Sequence, residues 1–162
     1  MFKETTQVAS LAHLLELYES GKVQRWHTMR GVDPQTNADH SWGVALLILM
    51  QWPEASNKLI KAALLHDCGE RASGDIPSTA KDFNPALRTA SKTSEAAWLK
   101  AMGVELPELN QAEKTILTIA DHQEAWLHLN SRMKHAIIDN AMSRLNADIL
   151  EMLAGQEGGS RA

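Results

Sequence analysis

At 162 residues with 44% hydrophobic content, the chain has the size and composition of one domain with an ordinary core. Its net charge of −4 excludes the global basic field that nucleic-acid binding uses, so an anionic ligand must be met by local cations or a metal. Cys68 is the only cysteine, which excludes an internal disulfide. The longest apolar run, Val44 to Met50, is too short to span a bilayer, and MFKETTQVAS lacks a hydrophobic signal core. A soluble protein of the cytoplasm is expected, with no membrane or nucleic-acid partner.

Helical periodicity dominates the chain. The first helix is expected from about Thr6 to Ser20, with Val8, Leu11, Leu14, Leu15 and Tyr18 facing inward and Gly21 as the stop. Lys22 to Asp39 reads as an extended crossing and loop. A second helix is expected from a cap at Asp39 to just before Pro53, and its stretch GVALLILM is apolar all round, as in a central helix. Pro53 suits the first turn of a third helix that reaches His66-Asp67. A loop follows through Gly74, Asp75, Pro77 and Lys81. Asn84-Pro85 signals a fourth helix ending near Gly103; a fifth spans about Gln111 to Leu129, and a sixth about Met133 to Leu153. No internal repeat or linker divides the chain. The expected fold is all-α, a compact single-domain bundle of about six helices over residues 1–154, with a flexible tail at 155–162.

The run ALLHDCGERASGDIP is the most informative for function. His66 and Asp67 can turn toward one cation at the end of a buried helix, and Glu70, at three and four residues beyond them, falls on the same helical face. His40 and Asp121, on two other helices, can complete the set, which is how bundles build sites in their cores. Two imidazoles with two carboxylates form a mixed nitrogen and oxygen set that suits Mn, Fe, Co, Ni or Zn rather than a thiolate-type structural zinc; Mg is kept as a further candidate. An aspartate in the apolar context ILTIADHQEAW is costly unless paired or metal-bound, which favours Asp121 over its neighbour His122. The cluster RWHTMR reads either as an anchor, with Trp26 buried and Arg25 on the surface, or as a nucleotide clamp. In the clamp, Arg25 offers a planar donor fork for phosphate and Trp26 a flat face for a sugar or base. Lys81 is a second candidate for phosphate. Asp75 is either a turn residue or a contact for a sugar hydroxyl or the leaving oxygen.

These motifs, in this order, resemble the HD superfamily of metal-dependent phosphohydrolases, and most closely its bacterial 5′-deoxynucleotidase branch. The matching residues are Arg25-Trp26 with Met29-Arg30, His40-Ser41, His66-Asp67 with Glu70, Gly74-Asp75 with Pro77, Lys81, and Ala120-Asp121, covering roughly residues 25 to 122. Asp39 stands where the family usually has Glu. The chain is also shorter than the typical bacterial enzyme, a feature similar to small phage-type relatives that release triphosphate from dATP.

The resemblance implies that His40, His66, Asp67 and Asp121 hold a divalent metal ion and that Glu70 orients or deprotonates the attacking water. It further implies that Asp75 serves the sugar or departing 5′-oxygen, that Arg25 and Lys81 bind phosphate, and that Trp26 packs against the deoxyribose. The expected reaction is hydrolysis of a small 2′-deoxynucleotide between the 5′-oxygen and the α-phosphorus. Compactness leans the reading toward triphosphate release from a dNTP. The alternative is a 5′-deoxynucleotidase acting on dNMPs, and a non-catalytic nucleotide-binding regulatory module is the alternative of another class. A homo-oligomer, dimer or larger, is the expected assembly.

Overall fold

A computed structural model describes residues 10–132 and Ala147. The expected sixth helix, apart from Ala147, the start of the first helix before Ser10, and the tail lie outside the described residues. Three helices that meet side by side carry the core. They are α2 (Asn37–Gln51), α3 (Asn57–Leu65) and α6 (Gln111–Arg132). Val44, Ala45 and Ile48 of α2, Leu59 and Ala63 of α3, and Ala120 of α6 form one buried cluster, flanked by Leu47, Ile60, Leu109, Ile116 and Leu117. Alanines at 45, 63 and 120 let the backbones approach, and the larger residues fill what remains.

Helix α2 buries Asn37, His40, Ser41, Val44, Ala45 and Ile48, a stripe at three- and four-residue spacing. On this stripe the polar residues Asn37, His40 and Ser41 are as buried as the apolar ones, which matters for the site below. Trp42, Leu46, Leu49 and Met50 are exposed, so the all-apolar stretch is central through one face only. Its cap is Thr36 rather than the expected Asp39. Thr36 accepts from the Asp39 N–H, and the Asp39 carboxylate reaches back to the Thr36 backbone, a capping box with Asp39 at the third helical position.

Helix α3 starts at the Ser56 cap, later than Pro53 suggested; Trp52 to Ala55 is spent on a turn. The loop expected after His66-Asp67 contains a 3-10 helix, Cys68–Ala72, and a short helix α4, Ser78–Phe83. Asn84 and Pro85 cap and open α5 (Pro85–Ala101) as expected. Gly69 brings the 3-10 helix against α5: a Cβ there would lie 2.7 Å from the Cβ of Glu95. Asn110 and Glu113 exchange backbone and side-chain hydrogen bonds at the start of α6. Glu113 also receives Ser56 and Lys58, which ties the starts of α3 and α6 together.

Helix α1 (Leu11–Ser20) departs most from expectation. Its apolar stripe faces outward, with Leu11 82% and Tyr18 71% exposed and Leu14 and Leu15 also exposed. Periodicity identifies an apolar stripe but not what covers it. Only Ser20 is buried, and the helix docks by its end, where Glu16 pairs with Arg71 of the 3-10 helix at 3.2 Å. Gly21 closes α1; a Cβ on it would lie 3.2 Å from that of Ala38. From there the chain forms strand β1 (Gln24–Arg25), antiparallel to β2 (Gln35–Thr36), with Arg25 opposite Gln35. Two-residue strands carry no alternation, so the sequence shows them only as an extended crossing. This ladder fastens Arg25 and Trp26 beside the buried start of α2. No helix among the described residues is long and apolar enough to cross a membrane.

Candidate functional site

The buried polar end of α2 meets the end of α3. Helix α3 runs to Leu65, His66 keeps helical angles, and Asp67 breaks away at φ −101° and ψ 2°. That break turns two adjacent side chains toward one point. Glu70 follows on the 3-10 helix, not on a continued α-helix, and its N–H donates to the Asp67 carbonyl at 3.0 Å. Residues three apart nearly eclipse in a 3-10 helix, so Asp67 and Glu70 still share a side.

His40, His66 and Asp67 each offer a ligand atom, and these atoms lie within 4.8 Å of one another. Asp67 Oδ2 is 3.6 Å from His40 Nε2 and 3.4 Å from His66 Nε2. Asp121 arrives from α6, its Oδ1 3.0 Å from His40 Nε2. Three of the four residues proposed from sequence, His40, His66 and Asp67, thus come together in one group, and Asp121 adjoins it through His40. His122 has a buried Nδ1 without a hydrogen-bond partner but lies outside this group.

The chemistry of the donor set fits a divalent cation. His66 Nδ1 donates to the Ala63 carbonyl at 2.8 Å, and His40 Nδ1 donates to Glu124 Oε2. Both rings are thus held by Nδ1, and both Nε2 atoms are buried; that of His66 has no hydrogen-bond partner, and that of His40 faces Asp121 Oδ1 at 3.0 Å. An imidazole anchored through one nitrogen with the other left over is the arrangement of a metal-ligating histidine. His40 is fully buried, and burial opposes its protonation. The acceptors Asp121 and Glu124 outweigh that and raise it to about 9. Burial likewise works against the Asp121 carboxylate, while His40, His66 and Arg25 hold it well below the usual carboxylate range.

Glu70 is only 6% exposed. Burial first, then the charges of Asp67 and Asp75, push its carboxyl up to about 7. Asn37 holds it in place by donating to Glu70 Oε2 at 3.0 Å and to the Asp67 carbonyl at 3.1 Å. A carboxylate with this affinity for a proton, beside a cation site, can act as a base near neutral pH.

Arg25 is neither a surface residue nor a free clamp. Its Nη1 donates to Asp67 Oδ2 at 2.6 Å, and its Nε is buried without a partner. Trp26 is half-buried, takes the left-handed φ of 61°, and stacks on His128 with centroids 6.3 Å apart. A non-glycine residue in that region costs on the order of 1–3 kcal/mol, so the surrounding contacts must hold it there. Asp75 lies half-buried in the turn after Gly74, where its charge is felt at Glu70. Lys81 is half-buried on α4, its side chain without a hydrogen bond or ion pair among the described residues. Three participants escaped the sequence reading: Asn37, Gln35 and Glu124, all buried. Asn37 precedes His40 by three residues and Glu124 follows Asp121 by three. Helical spacing from the named ligands was the signal that could have found two of them.

Comparison with known proteins gives the chain a family. The family model described as 5′-deoxynucleotidase YfbR-like matches residues 11–141. A 5′-deoxynucleotidase of Vibrio parahaemolyticus is 30% identical over 113 residues, which cover 63% of this chain and 58% of the relative. One from Pasteurella multocida is 30% identical over 100 residues, covering 56% and 51%. One from Photobacterium profundum is 32% identical over 106 residues, covering 60% and 53%. The chain spans about half the length of the curated relatives it matches.

Proposed function

Because the chain belongs to the YfbR-like 5′-deoxynucleotidase family, we propose that it hydrolyses 2′-deoxynucleoside 5′-monophosphates to deoxynucleoside and phosphate. The single observation that carries this reading is the approach of His40, His66 and Asp67 to within 4.8 Å of one another, with both imidazole Nε2 atoms buried, next to the buried carboxyl of Glu70. The lean toward triphosphate release rested on chain length. The relatives point instead to the alternative, since each is named as a 5′-deoxynucleotidase.

His40, His66, Asp67 and Asp121 would hold the ion, and the mixed nitrogen and oxygen set favours Mn, Fe, Co, Ni or Zn over Mg. Bound there, a divalent ion supplies positive charge against the phosphoryl oxygens and acidifies water. Glu70 takes a proton from the attacking water as the new bond to phosphorus forms and the bond to the 5′-oxygen breaks. The departing 5′-oxygen takes up a proton, delivered by Asp75 in its acid form, and leaves as the sugar hydroxyl; the proton held by Glu70 returns to solvent and Asp75 is reprotonated from it. Arg25 and Lys81 supply donors to the phosphate, and Trp26 packs on the deoxyribose. A protein that only bound nucleotides would gain nothing from a buried carboxyl such as Glu70, which supports turnover over the regulatory-module reading. The test is an assay of dNMPs and dNTPs in parallel with Mn2+, with products identified. Phosphate and deoxynucleoside from dNMPs support the proposal; triphosphate from dNTPs with no dNMP turnover contradicts it.

A further inference from the structure

Behind His40 lies a hydrogen-bond chain that the reaction does not itself require. Trp26 Nε1 donates to Gln35 Oε1 at 3.1 Å. Gln35 Nε2 donates to Glu124 Oε1 at 2.7 Å, and Glu124 Oε2 accepts from His40 Nδ1. The interior of this chain is buried: Gln35 is 4% exposed, Glu124 9% and His40 0%.

The chain has only one consistent direction. An indole N–H can donate and never accept, so Trp26 fixes which end of the Gln35 amide faces it. The amide must then present its NH2 to residue 124, where only an acceptor satisfies it. A carboxylate is that acceptor, and its second oxygen can only accept from His40. Nδ1 of His40 must therefore carry a proton, and Nε2 is the atom left for a cation. Gly43 keeps the arrangement tight, since a Cβ there would lie 2.7 Å from Glu124 Cγ.

We propose that Glu124 is a positioning residue of the metal centre, and that Trp26 and Gln35 set the direction of the hydrogen bonds through which it orients His40. The proposal rests on the metal-centre reading above, and metal affinity separates the two. Titration calorimetry with Mn2+ alone is the measurement. If the wild-type protein binds no Mn2+, both readings fall; if it binds and the variants match it, only the positioning role falls.

Glu124→Gln keeps size and one acceptor but adds a donor. The introduced amide can accept from His40 only by turning its NH2 toward that of Gln35. Flipping Gln35 moves the conflict to the indole. The expected result is Mn2+ affinity reduced roughly 10- to 100-fold, the usual cost of losing such a partner to a ligand. Trp26→Phe removes the donor that fixes Gln35, so Gln35 can flip without conflict. The double variant should then bind Mn2+ roughly tenfold more tightly than Glu124→Gln alone, the equivalent of one relieved buried donor. A merely structural role predicts no such rescue. Glu124→Gln with wild-type affinity, or a double variant no better than Glu124→Gln, overturns the proposal. If Glu124→Gln fails to fold by circular dichroism, Gln35→Leu replaces it. That variant leaves Glu124 held from one side only, and unchanged Mn2+ affinity in it overturns the proposal equally.

Discussion

Under the proposed function, Glu70 is the residue on which turnover depends most. Asn37 donates to its Oε2, and an amide oxygen at that position would still accept. Glu70→Gln therefore keeps the geometry and removes the basicity. The expected outcome is Mn2+ binding as in wild type with kcat lowered about 10²- to 10⁴-fold, the range for loss of a general base. Calorimetry and steady-state kinetics on one preparation check it, and loss of the metal would reassign Glu70 to the ion. Trp26 makes a different claim. Its left-handed backbone and its stack on His128 hold the indole in a fixed plane. Trp26→Ala should narrow the preference for deoxy over ribo substrates, read as the ratio of kcat/KM values. An unchanged ratio removes the indole from the sugar pocket.

Elements transmit these demands through their ends and close contacts. Gly43 of α2 faces Glu124 of α6, whose two oxygens are both engaged and cannot easily give way. Gly43→Ala should destabilise the fold by about 1–3 kcal/mol, as overpacking does, and weaken Mn2+ binding with it. An unaltered Tm contradicts the contact. At the opposite end of α6, Lys58 first, then the Asn110 backbone and Ser56, hold the Glu113 carboxyl at about 2, below its ordinary 4.5. A carboxyl depressed in the folded state adds stability above its unfolded value, and that stability is lost as pH falls toward the folded one. Acid should thus loosen the junction of α3 and α6 between about pH 4.5 and about pH 2. Glu113→Gln should be less stable at neutral pH but lose less of its stability across that window, as denaturant titrations at a series of pH values would show. Equal pH dependence in both proteins argues against the clamp.

Across the whole molecule, the features written in local chemistry were legible and the relational ones were not. Asn84-Pro85 and the apolar periods of α2 and α6 announced their helices because caps and stripes are local signals. The outward stripe of α1 could not be read, because what a stripe faces depends on the rest of the fold. The two-residue ladder was too short to show a period, and the 3-10 helix after Asp67 mimicked α-helical spacing. The metal set and Glu70 stood out as motif residues. Asn37, Gln35 and Glu124 did not, since polar residues in such a pattern look solvent-facing until the elements meet.

Under the proposed function the same convergence would couple ion binding to folding, because α2, α6 and the end of α3 supply the proposed ligands from three places. The most direct measurement is metal content per chain after reconstitution with Mn2+, for the wild type and for His40→Ala, His66→Ala, Asp67→Ala and Asp121→Ala, each verified as folded. The account predicts one ion per wild-type chain and its loss in all four variants. A full equivalent retained in any of them would contradict a centre built from these residues.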